Sequence, residues 1–367
     1  MAAMSEPAAV PAHIPVPSAA DIGQGIWSLP VPLPGNPLRY VVPYALEVPG
    51  GLVLIDAGWD DDEPWNALVN GLAAMGGSPQ DVRGVLVTHA HPDHYGLAPR
   101  LREISGAWVA LHPADRHMLA GDPAEAEQKF ADGRRWLQRM GASAADVEAW
   151  AEVKDLAVSM LLAGLPDREL ADGEVVADVP GFELTAIHTP GHTDGHVCFL
   201  DQDREVLFSG DHVLAKISPN VSTMTSLLGN PLGVYLDSLR ATGELDVDLA
   251  LPAHVEPIAK LRERVVELLT HHEQRLAEIL DTLTAESGLS TYEVASRQPW
   301  KRGWEGLAGQ MRRAAVGETH AHLLELAARS LVAQEGDGPV VRWRAVEVSA
   351  PARPVTRLKP RGHSLGT

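Results

Sequence analysis

The chain has 367 residues, a formal net charge of −19, 45% hydrophobic and 22% charged residues, and one cysteine, Cys198. A core of ordinary size is therefore available, and one catalytic domain plus an appendage is the natural reading of the length. A lone cysteine excludes an intramolecular disulfide, the acidic balance argues against a general affinity for nucleic acid or anionic membranes, and no segment approaches the roughly 20 apolar residues of a membrane span.

Residues 1 to about 20 are Ala- and Pro-rich, without a basic start or a compact apolar run, and read as a disordered lead of a cytoplasmic protein. Ile26-Trp27-Ser28-Leu29 is a first short strand, and Pro30 to Pro37 reads as an irregular loop. Two β-rich runs, Tyr44 to Val48 and Leu52 to Ile55, flank Pro49-Gly50-Gly51 and predict a hairpin ending at Asp56. Helical periodicity covers residues 63–76. The apolar run Val85-Leu86-Val87 then predicts a buried strand, Gly96-Leu97-Ala98 opens a helix, and Ala107 to His112 is another strand. The alternation of strand and helix is an α/β layout. Residues 114–170 turn helical and acidic, an insertion expected over the pocket mouth, whose Met and Trp residues suit core packing first and the lining of a substrate channel second. A second set of strands starts near Gly173-Glu174-Val175-Val176 and continues through Phe182 to His188, Val197 to Leu200, Glu205 to Phe208 and Val247 to Leu251, with a helix from Val234 to Leu239.

Ligand-type residues stand at the ends of these strands. Thr88-His89-Ala90-His91-Pro92-Asp93-His94 follows one, His192 another, Asp211 a third and His254 a fourth. Open α/β sheets gather ligands at strand C-terminal ends, and neutral imidazole with carboxylate suits a divalent ion such as Zn²⁺. Asp56, also at a strand end, is placed to orient a metal-binding histidine. His112 is a weaker candidate because no partner stands at short spacing, and Cys198 sits in an apolar strand where a thiol packs.

The series Ile55-Asp56-Ala57-Gly58, His89-Ala90-His91-Pro92-Asp93-His94, Pro190-Gly191-His192-Thr193, Ser209-Gly210-Asp211 and Pro252-Ala253-His254 resembles the metallo-β-lactamase superfamily of hydrolases. The resemblance spans roughly residues 40 to 258. It implies an αββα sandwich with a two-metal site: His89, His91 and His192 on one ion, Asp93, His94 and His254 on the other, and Asp211 bridging. Ala253 stands where the family usually has glycine, which leaves the ligand His254 in place. The implied cofactors are two divalent ions, Zn²⁺ first, with Mn²⁺ or Fe²⁺ as alternatives. Two such ions can share a water whose pKa falls towards neutrality, with Asp93 and Asp211 as catalytic carboxylates that steer it and handle its proton, so no Ser or Cys nucleophile is needed.

The bridging aspartate disfavours a secreted β-lactamase. Leu214 stands where many N-acyl-homoserine-lactone lactonases carry a tyrosine, although Tyr95 and Tyr235 are in range of the expected pocket. A full second ligand set disfavours the single-iron sulfur dioxygenases and a silent scaffold. Beyond residue 258, helices over 261–283 and 319–332, a capped helix start at Ser290-Thr291-Tyr292-Glu293 and a strand at Val340 to Arg344 resemble the winged-helix-like domain of lactamase-beta-2-like proteins. The expected organisation is therefore a lead (1–20), a catalytic domain (21–258), a winged-helix-like domain (259–345) and a basic tail (346–367). The function it implies is a thioester, ester or lactone hydrolase acting on a small acyl substrate, CoA- or carrier-linked, with a homo-oligomer left open. A lactamase-beta-2-like ribonuclease using Lys301, Arg302, Arg312 and Arg313 is the first alternative, and a lactonase the second.

Overall fold

The computed structural model of the protein describes residues 15–346, except residue 163 and the side chains of residues 155 and 156. Most of the expected lead and the tail from residue 347 lie outside the described residues. The first strands are β1 (Ala20–Gly23), β2 (Ile26–Ser28), β3 (Val31–Pro32), β4 (Tyr40–Val41), β5 (Tyr44–Val48), β6 (Gly51–Ile55), β7 (Val82–Leu86), β8 (Trp108–Leu111) and β9 (Arg168–Glu169). Seven of them form one sheet in the order β1-β2-β5-β6-β7-β8-β9, antiparallel as far as β6 and parallel from there. The second sheet runs β10 (Leu184–His188), β11 (Val197–Asp201), β12 (Val206–Gly210) and β13 (Leu249–Pro252), antiparallel except for the β12–β13 pair.

Both sheets are apolar on both faces, and the period of two in the sequence says which residue serves which layer. Val53 and Ile55 of β6 meet Phe199 and Phe208 of the second sheet between the two, while Leu52 and Leu54 point to the outer face. That outer face is covered by α1 (Asp62–Ala74), α2 (Pro92–Tyr95) and α3 (Ala98–Ser105), through Leu68, Leu72, Tyr95, Leu97 and Leu101. Cys198, Leu200 and Leu207 face outward on the second sheet, against α7 (Pro231–Thr242) and α8 (Leu261–Ala285). The result is the αββα sandwich. Among the described residues, no helix is long and apolar enough to cross a membrane.

The insertion after β8 comprises α4 (Pro123–Arg139), α5 (Ala144–Glu152) and α6 (Lys154–Leu161). Trp150 stacks on Phe130 with ring centroids 4.8 Å apart, a packing role for an insertion aromatic. At the C-terminal end, α8 is followed by β14 (Leu289–Ser290), α9 (Thr291–Ser296), α10 (Gly309–Ala328), β15 (Val332–Glu335) and β16 (Arg342–Ala345), the strands paired in the order β14-β16-β15. Ser290 and Glu293 form a reciprocal capping box at the start of α9. Leu276, Val316, Leu323 and Trp343 from this segment share one apolar cluster with Leu207 and Ala250 of the second sheet. The C-terminal segment and the sandwich therefore have a continuous core.

Several expected boundaries move. The Pro30–Pro37 stretch is not wholly irregular, because Val31 and Pro32 pair with Val41 and Tyr40. The ligand loop carries a short helix, α2, with Pro92 at its first turn, where a missing N–H is harmless. Val175 makes only an isolated bridge to Thr185, so the second sheet begins at β10, not at Gly173. Helix α10 starts at Gly309, ten residues before the apolar periodicity becomes legible, and stops before Val332, which is a strand residue.

Candidate metal centre

Strands β6, β7, β10, β12 and β13 deliver their C-terminal ends to one edge of the sandwich. Asp56, the loop at residues 88–94, the loop at 189–196, Asp211 and His254 follow those ends directly. Cross-sheet backbone bonds, Val197 N to Thr88 O at 2.8 Å and Val42 N to Ala253 O at 2.7 Å, hold the two halves of that edge together.

All seven ligand candidates converge there. Nε2 of His89 lies 2.9 Å from Nδ1 of His91, and Nε2 of His192 lies 3.2 Å and 3.0 Å from those two atoms. Beside this group, Asp93 Oδ2 and Asp211 Oδ1 each lie 3.4 Å from Nε2 of His254 and 3.7 Å from Nε2 of His94. The other oxygen of Asp211, Oδ2, is 3.6 Å from His192 Nε2. One carboxylate thus faces both groups.

The donors fit divalent metal. Tetrahedral Zn–N bonds of about 2.0–2.1 Å set ligand nitrogens about 3.3–3.4 Å apart, close to the spacing of the three histidines. His94 Nε2, His254 Nε2 and Asp211 Oδ1 are buried with no hydrogen-bond partner, a costly arrangement unless a cation satisfies them. Tautomers agree. Nδ1 of His94 donates to Asp56 Oδ2 at 2.7 Å, Nδ1 of His192 to Asn220 O at 2.7 Å, and Nδ1 of His254 to Tyr40 O at 2.9 Å. Each bond leaves the Nε2 lone pair turned inward, the arrangement metal-binding histidines require.

The electrostatics divide the site in two. Burial, with neighbouring imidazoles, holds His89 far below the ordinary histidine pKa and His91 at about 3, so both are neutral donors. Burial also opposes charge on His94 and His254, but nearby carboxylates outweigh it: Asp56, Asp93 and Asp211 raise His94 to about 9, and Asp211 and Asp93 raise His254. Asp93 and Asp211 stay below the usual carboxylate range, because His94 and His254 overcome their burial. A cation can take the place of the protons that this half of the site attracts.

Asp56 is hydrogen-bonded to the ring of His94. Besides His94, it accepts from Thr88 N at 2.8 Å and Thr88 Oγ1 at 3.0 Å, from a left-handed backbone (φ 61°) uncommon for a non-glycine residue. Val255, directly after His254, has φ 74°, a conformation still rarer for a β-branched side chain. The weaker candidates are engaged elsewhere. His112 stacks on His188 at 4.0 Å and accepts from Ala114 N. Tyr235 is buried, with its hydroxyl donating to His212 O, whereas Tyr95 donates to Gly164 O and lines the cavity beside the ligand loop. Cys198 is buried, and burial pushes its thiol up to about 12.

Three residues of the site escaped sequence reasoning. Asp115, fully buried, accepts from Ala90 N at 2.9 Å, Thr193 Oγ1 at 2.8 Å and Gly195 N at 2.6 Å. It ties the loop of His89 and His91 to the loop of His192. A Cβ at Gly195 would come within 2.5 Å of Asp115 N, so glycine permits this approach. His196 accepts from Asp211 N at 3.1 Å and pairs with Thr189 Oγ1 at 2.8 Å, fixing the backbone that presents the Asp211 carboxylate. Asp194 accepts from Leu227 N at 2.7 Å and from Ser226 Oγ, anchoring the loop between β12 and α7 beside the site. The only sequence signal was three polar residues that no surface role required, too general to separate them from a solvated loop.

A family model described as the metallo-beta-lactamase superfamily matches residues 37–254, well over half of the chain. The chain belongs to that superfamily. It is accordingly a metal-dependent hydrolase, with a His/Asp cluster able to bind divalent metal. It is similar to a metallo-beta-lactamase family protein from Thermus thermophilus, with a TM-score of 0.76 and 31% identity over 89% of this chain and 100% of that one. A beta-lactamase domain protein from Burkholderia ambifaria gives a TM-score of 0.70 and 27% identity over 89% of this chain and 93% of that one. Among curated proteins, the lactamase-like protein adaB of Aspergillus niger is 25% identical over 315 residues, 83% of this chain and 80% of its own length.

Proposed function

We propose that the chain is a two-metal hydrolase that cleaves a thioester, ester or lactone bond of a small acyl substrate. The observation that carries the two-metal part is Asp211, whose oxygens face His192 on one side and His94 with His254 on the other. His89, His91 and His192 would hold one ion, Asp93, His94 and His254 the second, and Asp211 both. Divalent ions held there, zinc first and manganese or iron as alternatives, would supply a water acidified towards neutrality and polarisation of the substrate carbonyl.

The chain's own residues do the rest. Asp56, Asn220 and Tyr40 fix the rings of His94, His192 and His254 through their Nδ1 atoms. Asp93 is more exposed than Asp211, so its carboxylate is the one placed to pass a proton between the site and solvent. Two features favour an acyl substrate over RNA. The cavity beside the ligand loop is lined by one charged residue, the acidic Asp60, and by no basic one. Of the basic residues expected to touch RNA, Arg312 pairs with Asp146, and Arg313 lies over the Trp150 ring. The test is a screen of metal-loaded protein against acyl thioesters, esters, lactones, a phosphodiester and single-stranded RNA. Turnover of an acyl substrate is expected, and efficient cleavage of RNA alone would overturn the reading.

A further inference from the structure

A cavity of about 550 Å³ opens beside the ligand loop, within the size range of small-molecule sites. Its wall includes Ala90 and Pro92, the residues interleaved with His89, His91 and Asp93. Opposite them stand Trp59, from the loop after β6, and Val158, Met160 and Leu162, from α6 and its C-cap. These four side chains are not sunk into the core. Trp59, Val158 and Met160 are half-buried, and Leu162 is 36% exposed, although all four are apolar. Apolar groups held at a cavity mouth beside a reactive centre are the usual lining of a ligand site, not a product of packing. The one charged group of the wall, Asp60, is an exposed carboxylate.

We propose that this cavity seats the uncharged, apolar chain of an acyl substrate, with the scissile carbonyl lying against the ligand loop and the chain running between Trp59 and α6. The helical insertion is then the part of the chain that selects the substrate. Asp60 works against a chain ending in a carboxylate, since two like charges would meet at the cavity mouth. The proposal rests on the acyl-hydrolase reading above.

Binding and turnover are measured apart. N-acetylcysteamine thioethers carrying S-methyl, S-butyl and S-octyl groups resist hydrolysis and are titrated calorimetrically into the metal-loaded full-length protein. Kd is expected to fall by about fourfold per buried methylene, the equivalent of about 0.8 kcal/mol, until the cavity is full. Leu162→Glu places a charge at an exposed position with little risk to folding, and should flatten the series; Met160→Trp should flatten it by filling the space. A flat series in the parent protein, or a rising series left unchanged by both substitutions, overturns the proposal. Hydrolysis of an acetyl thioester by the same preparation reports on the parent reading. Turnover with a flat series removes the acyl cavity alone, whereas a rising series without turnover of any acyl substrate removes the acyl-hydrolase reading and leaves a cavity for some other apolar ligand.

Discussion

Asp115 offers the most direct measure of how the two ligand loops depend on each other. Its carboxylate accepts from Ala90 N and Thr193 Oγ1 through one oxygen and from Gly195 N through the other. In Asp115→Asn only one oxygen remains, and the amide group points a donor at a donor. Whichever way it turns, one buried backbone N–H of Ala90 or Gly195 loses its acceptor, a penalty of about 1–3 kcal/mol. Burial raises the pKa of Asp115, with the hydrogen bonds from Ala90, Thr193 and Gly195 opposing, so ionising this group does not favour folding. The defect should therefore appear mainly in the loops that carry His89, His91 and His192. We expect affinity for the ion at those residues to fall by about 10–100-fold, the usual effect of losing an outer hydrogen-bond partner. Affinity at Asp93, His94 and His254 should fall less. Stepwise competition with a chromophoric chelator reads both constants, and Tm of the metal-free variant reads folding. Both constants within twofold of the parent, alongside a lowered Tm, would show that Asp115 is merely structural and refute the reasoning.

The remaining expectations are briefer. Asp56→Asn turns a donor towards Nδ1 of His94, so affinity at the Asp93–His94–His254 group should fall by about 10–100-fold in the same titration. Asp211→Asn should reduce bound metal from two ions to one per chain by elemental analysis and cut turnover by roughly 10²-fold or more; unchanged stoichiometry would remove the bridging role. Chelation should abolish turnover and lower Tm, and free metal at about 1,000 times Kd should restore about 4.1 kcal/mol of stability. Away from the centre, burial depresses His320 to about 4 and His322 to about 3. Their neutral forms stabilise the fold above the unfolded value near 6.5, and that stability is lost as pH falls towards 4, by about 1.4 kcal/mol per pH unit for each histidine. Denaturant unfolding at pH 7 and pH 4.5 should therefore differ steeply, and His320→Asn should shrink the difference.

The candidate metal ligands were readable because their chemistry is local. Three imidazoles and a carboxylate within residues 89–94, straight after an apolar strand, have few other uses, and His192, Asp211 and His254 repeat the arrangement at three more strand ends. The capping box at Ser290 and Glu293 was legible for the same reason, since its partners are three residues apart. Asp115 was not, because its partners Ala90 and Gly195 are 25 and 80 residues away. The start of α10 was hidden too: its first turns, Gly309 to Arg312, are not buried, so no apolar stripe marks them.

What the sequence by itself determined is the α/β class, the family and the set of candidate donors, because strand alternation and strand-end polarity are properties of short segments. Only the tertiary structure decided which oxygen of Asp211 faces which histidines, which ring nitrogen of His94, His192 and His254 donates outward, and that the insertion helix α6 closes a cavity against the ligand loop. Each of those depends on bringing together segments tens to hundreds of residues apart, and the packing of two sheets sets such distances, not any local pattern.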